Sequence, residues 1–158
     1  APELIMATTV LFYRIPRDYT RADIAAEVDK YAPVQPLMVE GQAVHAFDFV
    51  HVPISQALTC NVGLAIVNFL DASLASEVTA AMSGRMWRRG KGKVIRCKAA
   101  FVQGLGPNLV HLAQTSSTHV RGMFNAPLVY QGPRPVDFVT AIEKFAPPGT
   151  LSSFPLPT

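Results

Sequence analysis

The sequence has 158 residues, of which 49% are hydrophobic and 16% charged, and a formal net charge of +3 at pH 7. That length suits one domain with extensions, and that composition argues against wholesale disorder. No apolar run reaches the roughly 18–20 residues that cross a bilayer, so we expect no membrane span.

The charge is unevenly distributed along the chain. No acidic residue occurs between Val78 and Val136, where nine basic residues fall: Arg85, Arg88, Arg89, Lys91, Lys93, Arg96, Lys98, Arg121 and Arg134. A surface of one sign attracts polyanions. The alternative is a solvated basic loop without a ligand.

The first predicted elements are a strand and a helix. Alternation over residues 8–15 predicts a strand with Leu11 and Tyr13 on the same face. Thr20, with an acidic residue three positions later, has the spacing of a capping box and predicts a helix over 20–30.

The next segments complete a compact fold. They are predicted to be strands over 47–53 and 60–69, a helix over 72–82 capped by Asp71, and a strand over 94–101. The order β-α-β-β-α-β over residues 8–102 is that of the ferredoxin-like α+β sandwich, a four-stranded antiparallel sheet with two helices on one face.

Further elements follow this unit. Helices are predicted over 108–114 and 136–145, whereas residues 115–135 are predicted to be irregular and the tail after Pro147 is rich in proline. We therefore divide the chain into a domain over 8–118, with an appended third helix, and a C-terminal extension over 119–158.

The segment CNVGLAIVNF, residues 60–69, carries the most specific pattern. Val62–Phe69 fits the RNA-recognition octamer K/R-G-F/Y-G/A-F-V-x-F/Y without a gap. It keeps the glycine, the small residue, the valine and the final phenylalanine. Leu64 and Ile66 stand where that pattern has aromatic residues, and Val62 replaces the basic one.

Several matches in the right order identify a family. The segments TTVLFYRIPRDYT, FDFVHVPI, CNVGLAIVNF, SGRMW and KAAFVQG together resemble the C-terminal RNA-recognition motif of the Mei-two-like meiosis regulators, over residues 8–118. The resemblance implies an intracellular eukaryotic protein, nuclear or cytoplasmic. It would bind single-stranded RNA and act in meiotic or developmental control.

The resemblance also shows what the binding surface lacks. Ordinary RNA-recognition motifs stack two or three bases on aromatic side chains of the central strands. The matching positions here are Leu11, Leu64 and Ile66, and each absent stacking interaction removes about 1–3 kcal/mol per base. A covering helix from residues 108–114 or 136–145 is the alternative explanation of these aliphatic residues.

Other residues could still hold RNA through charge. We expect Tyr13, with Arg14 and Arg17 after it, and the outward-facing Arg96 and Lys98 of the last strand to contribute. The basic turn, which we define as residues 85–93 (RMWRRGKGK), adds Arg88, Arg89 and Lys91.

A peptide-binding function is the alternative. The turn Gly84-Arg85-Met86-Trp87 resembles the G-R-x-F turn of UHM domains, which grip a tryptophan of a partner protein. Arg85 and Trp87 would form that grip, and Asp23 and Glu27 would attract the basic flank of the peptide. Trp87 could equally anchor the turn within the core.

We expect no catalysis, cofactor or metal. Cys60 and Cys97 lack CxxC spacing, the four histidines have no partners at metal-ligand spacing, and no nucleophile–base pair or phosphate-binding glycine motif is visible.

Overall fold

The computed structural model describes residues 6–55, 60–115 and 126–150. Within them the chain forms eight strands and four helices. In chain order these are β1 (Thr9–Tyr13), α1 (Arg21–Asp29), β2 (Leu37–Val39), β3 (Gln42–Val44), β4 (Phe47–His51), β5 (Leu64–Phe69), α2 (Ala72–Met82), β6 (Arg96–Ala99), α3 (Leu105–Thr115), β7 (Leu128–Gln131), β8 (Arg134–Val136) and α4 (Phe138–Phe145).

Six of the strands form one antiparallel sheet in the order β6-β1-β5-β4-β7-β8. Its first four strands and helices α1 and α2 make the ferredoxin-like sandwich that the sequence predicts. The main core lies between this part of the sheet and the two helices. Its fully buried side chains include Val10, Phe12, Ile24, Val28, Val67, Val78, Met82 and Ile95.

Both predicted helix caps are present. Thr20 and Asp23 form a complete capping box at the start of α1. The Asp71 carboxylate accepts a hydrogen bond of 2.8 Å from the Leu74 amide at the start of α2. Each such cap satisfies a backbone donor that the helix leaves free and contributes about 1 kcal/mol.

The extension differs from its sequence-based prediction. We expected residues 115–135 to be irregular, and for two segments this is wrong: β7 pairs with β4 and β8 pairs with β7. The strand pairing of β7 depends on the edge of β4, far away in sequence, so the local pattern does not reveal it. Residues 116–125 of that prediction lie outside the described ranges.

A second core lies on the opposite face of the sheet. Helices α3 and α4 cover β4 and β7 there, and the buried residues are Phe49, Leu109, Leu112, Ala113, Val129, Phe138, Ala141 and Ile142. The two helices approach closely at Gly106, where a Cβ would lie 2.8 Å from the Phe145 carbonyl oxygen. Half of the face that RNA-recognition motifs use for binding is therefore occupied by the protein's own chain.

A buried hydroxyl fixes α3 to this face. Thr9 Oγ1 on β1 donates to Asn68 Oδ1 (2.7 Å) and accepts from the Gly104 amide (2.8 Å) and from Asn108 Nδ2 (3.4 Å). Asn68 Nδ2 then donates to Asp48 Oδ1 at 2.8 Å. We call Thr9, Asn68, Asn108 and Asp48 the clamp, because they join three strands to the first turn of α3.

We predict that Thr9→Val weakens the attachment of α3. Valine has nearly the same shape, but it leaves the Gly104 amide without its partner, and an unpaired group removed from water costs about 1–3 kcal/mol. The Asn68 oxygen keeps its second donor, the Thr8 hydroxyl at 2.9 Å. Urea unfolding should show that loss, and hydrogen exchange in α3 should become faster.

Thr115→Val is the matched control. Its hydroxyl lies at the exposed end of the same helix and bonds only the His111 carbonyl among the described residues. We expect a change within about 0.5 kcal/mol there. A Thr9→Val protein with wild-type stability and wild-type exchange in α3 would contradict the role of the clamp.

Candidate nucleic-acid interface

The uncovered half of the sheet face brings together six of the residues selected from the sequence. Strand register places them in two rows across β5, β1 and β6, namely Ile66–Leu11–Lys98 and Leu64–Tyr13–Arg96. Directly opposed residues of neighbouring strands project from the same face of a sheet. We call these two rows the open rows.

The open rows end where the second core begins. Ile66 is partly buried and packs against the cluster formed by α3, α4 and β7. Leu11 and Leu64 are half-buried and belong to neither core cluster. The described helices thus cover Ile66 in part and leave Leu11 and Leu64 facing outward.

Positive charge borders the open rows. Arg96 and Lys98 are exposed, and neither forms an ion pair with an acid of the described ranges. Lys98 Nζ lies 5.6 Å from the centroid of the Tyr13 ring, within the range of a cation–π contact. The surface therefore offers one aromatic ring beside two unneutralised cations.

A groove of about 670 Å³ continues the second row. Four cationic residues line it: Arg14, Arg17, Lys93 and Arg96. The sequence predicts Lys93 as part of the basic turn at the edge of the sheet, and the folded turn before β6 brings it close to the end of β1. We call this feature the basic groove.

The arginines of the basic turn are directed differently. Arg89 forms ion pairs with Asp18 (2.8 Å) and Asp23 (3.0 Å), and its guanidinium lies 4.7 Å from the Tyr19 ring centroid. The Arg88 amide donates to Glu27 Oε1 at 3.0 Å. These contacts place Arg88 and Arg89 beside α1, apart from the open rows. Lys91 is exposed and adopts φ +51.

The residues of the peptide-binding alternative have internal partners. Trp87 is only 2% exposed, and its ring packs edge-on against Phe12 and Tyr19 at centroid distances of 6.0 and 5.5 Å. Glu27 is buried and bonds Tyr19 and Lys30 as well as Arg88. Arg85 is exposed on the same turn. The structure favours Trp87 as a core anchor, so the peptide-binding alternative is not favoured.

Burial shifts two titratable groups near the covered half. Burial raises the pKa of Asp48 to about 6, although the hydrogen bond from Asn68 opposes this. Burial, followed by the charges of Arg21 and His111, lowers the pKa of His51 to about 4. His51 Nδ1 is buried without a hydrogen-bond partner among the described residues, so burial keeps this ring neutral near pH 7.

The fold and the open rows define a class of protein. A ferredoxin-like sandwich whose octamer Val62–Phe69 forms the central strand β5 has the architecture of an RNA-recognition motif. The chain belongs to the family RNA recognition motif 2, whose pattern matches residues 7–113. The protein is thus an RNA-binding domain, and the predicted family and fold class are confirmed.

Known relatives agree with that assignment. Over 126 residues the chain is 27% identical to Protein MEI2-like 3 of Arabidopsis thaliana, covering 79% of this chain and 15% of that protein. Over 137 residues it is 28% identical to Protein MEI2-like 7 of Oryza sativa subsp. japonica, covering 80% and 35%. The chain therefore spans a minor part of the relatives that it matches.

A solved structure is also similar. It is a chain of the Sxl-lethal protein/RNA complex, with a TM-score of 0.46 and 16% sequence identity, covering 61% of this chain and 49% of that one.

Membrane spans and metal centres are both absent from the described residues. None of the helices in these ranges is long and apolar enough to cross a membrane. No three His, Cys, Asp or Glu side chains in the same ranges are placed to hold a metal ion.

We predict that Asp48→Asn changes how stability depends on pH. Between pH 4 and 6 folded Asp48 keeps a proton that the unfolded chain has released, so it lowers stability as pH rises. His51 acts in the opposite direction between pH 4 and 6.5, because the unfolded state binds a proton that the buried ring does not. The two slopes offset each other in the wild type.

Urea unfolding at pH 4.5, 5.5 and 6.5 tests this. Removing the Asp48 carboxylate should leave the His51 effect, so the free energy of unfolding of Asp48→Asn should rise with pH more steeply than that of the wild type, by about 1–3 kcal/mol over this range. Parallel curves for the two proteins would contradict the raised pKa of Asp48.

Proposed function

We propose that the protein binds single-stranded RNA through the open rows, with the backbone held by charge and one base stacked on Tyr13. The observation that carries this proposal is the exposure of Arg96 and Lys98 on β6, beside that ring, without an acidic partner in the described ranges. Cations placed in this way release counterions when they meet phosphates, which favours association.

The aliphatic residues determine the kind of binding. Tyr13 is the one aromatic residue in the two rows, whereas ordinary motifs stack two or three bases. Leu11 and Leu64 offer apolar contact but no π-stacking. Since each missing stacking interaction costs about 1–3 kcal/mol, we expect weaker binding with little sequence preference and a strong dependence on salt.

We further propose binding without catalysis. Tyr13, Arg96 and Lys98 supply the titratable groups of the open rows, and none of them pairs with an acid or histidine there to form a proton-transfer site. His51, the strongly shifted histidine, is buried. The resemblance to MEI2-like proteins supports an intracellular role in meiotic or developmental regulation.

We predict that Arg96→Gln/Lys98→Gln reduces the salt dependence of RNA binding. The slope of log K against log salt for a single strand changes by about 0.7 for each phosphate that the protein no longer neutralises. Fluorescence anisotropy with a labelled eight-nucleotide oligouridylate at several salt concentrations measures that slope.

Tyr13→Ala should instead weaken RNA binding in the same assay roughly 5- to 150-fold without a change in the salt slope, since it removes one stacking platform.

Arg134→Gln/Lys144→Gln is the control with the same change of charge. Arg134 lies on β8, at the sheet edge opposite β6, and Lys144 lies on the covering helix α4, so neither belongs to the open rows. We expect the slope of this double variant to match that of the wild type. Equal slopes for both double variants would contradict the proposed site. A wild-type protein that binds no RNA at low salt would contradict the function itself.

A further inference from the structure

The covered half of the sheet limits the path of an RNA strand. A strand that crossed the face from β6 toward β4 would meet the packed side chains of α3 and α4 just beyond Ile66. Phe49 and His51, which would continue the surface on β4, are buried. Only β6, β1 and β5 therefore remain accessible on this face within the described part of the chain.

The basic groove is the positively charged continuation of this accessible surface. It shares Tyr13, Leu64 and Arg96 with the second open row and extends past the end of β1. Arg14 and Lys93 are exposed, and no acid of the described residues forms an ion pair with them or with Arg17. By contrast, Arg89 on the other side of the same turn is neutralised by two carboxylates.

The loop that carries Arg17 is held rigidly. Asn61 is buried and donates through Nδ2 to the carbonyl oxygens of Pro16 (2.8 Å) and Tyr19 (2.9 Å). Its own amide donates to the Arg17 carbonyl at 3.1 Å. A cation on a fixed backbone loses less conformational freedom when it binds a phosphate than one on a mobile loop.

The floor of the groove has an unusual backbone. Gly63 adopts φ +92, a region that favours glycine, and Arg17 Nη1 lies 3.9 Å from the position that a Cβ would occupy. Arg14 adopts φ +55, which is uncommon for a residue with a side chain. For Arg14 this conformation carries a cost that the surrounding structure must offset, and such conformations are frequent at binding sites.

We propose that the basic groove binds backbone phosphates of the RNA where the strand leaves the open rows. This inference rests on the proposed function and adds a direction to it: the strand crosses β6, β1 and β5 and then turns past the end of β1. Arg14 and Arg17 contact phosphates that lie beyond the bases seated on the sheet.

RNAs of different length distinguish binding to the open rows from binding to the basic groove. We compare oligouridylates of three and of eight nucleotides, with the wild type and with Arg14→Gln/Arg17→Gln. The shorter RNA fits on the open rows, so the double variant should lose much less affinity for it than for the longer RNA. The wild type should bind the longer RNA more tightly than the shorter one, and the variant should lose most of that difference in affinity. For the longer RNA, the salt slope of the variant should fall by about 0.7 for each phosphate left without its arginine.

Arg96→Gln/Lys98→Gln serves as the second variant and should weaken both lengths. If the wild type binds the longer RNA, and Arg14→Gln/Arg17→Gln binds both lengths like the wild type, the groove inference is overturned while the proposed function stands. If the wild type binds neither length at low salt, the function fails first. Inorganic phosphate, added at constant ionic strength, should compete more strongly with the longer RNA than with the shorter one. Equal competition with both RNAs would also overturn the groove inference.

Discussion

The attachment of α3 to the sheet through Thr9 determines which surface this protein offers. The Thr9 hydroxyl bonds residues of β5 and of the α3 first turn, and Asp48 of β4 joins through Asn68. The Gly104 amide donates to the Thr9 hydroxyl only while α3 lies across the sheet. Buried polar groups that lose their partners cost free energy, so the clamp favours one position of the helix and keeps half of the binding face covered.

Paired and unpaired charges lie on different sides of the molecule. The acids Asp18, Asp23 and Glu27 meet Arg89 and Lys30 on the side of α1. The cations of the open rows and of the basic groove have no such partners within the described residues. The side that offers a single stacking ring, Tyr13, is therefore the side that keeps its positive charge, and that combination favours a polyanion held mainly through its backbone.

Sequence reasoning succeeded where local chemistry decides the structure. The Asp71 cap and the apolar period predicted α2 with its observed bounds, and the octamer over Val62–Phe69 identified the central strand. It failed where distant segments meet, since β7 becomes a strand only beside the edge of β4. For the same reason it could not show that Arg89 faces α1 while Lys93 faces the groove, although both belong to one short turn.

Chemical-shift mapping of labelled protein with an eight-nucleotide oligouridylate tests the central claim most directly. We expect the amides of Tyr13, Leu64, Arg96 and Lys98 to shift on titration, while those of Leu109 and Leu112 in α3 stay unchanged. Large shifts at Leu109 and Leu112 instead, together with Phe49, would mean that RNA displaces α3 and uses the covered half, which would contradict binding through the open rows.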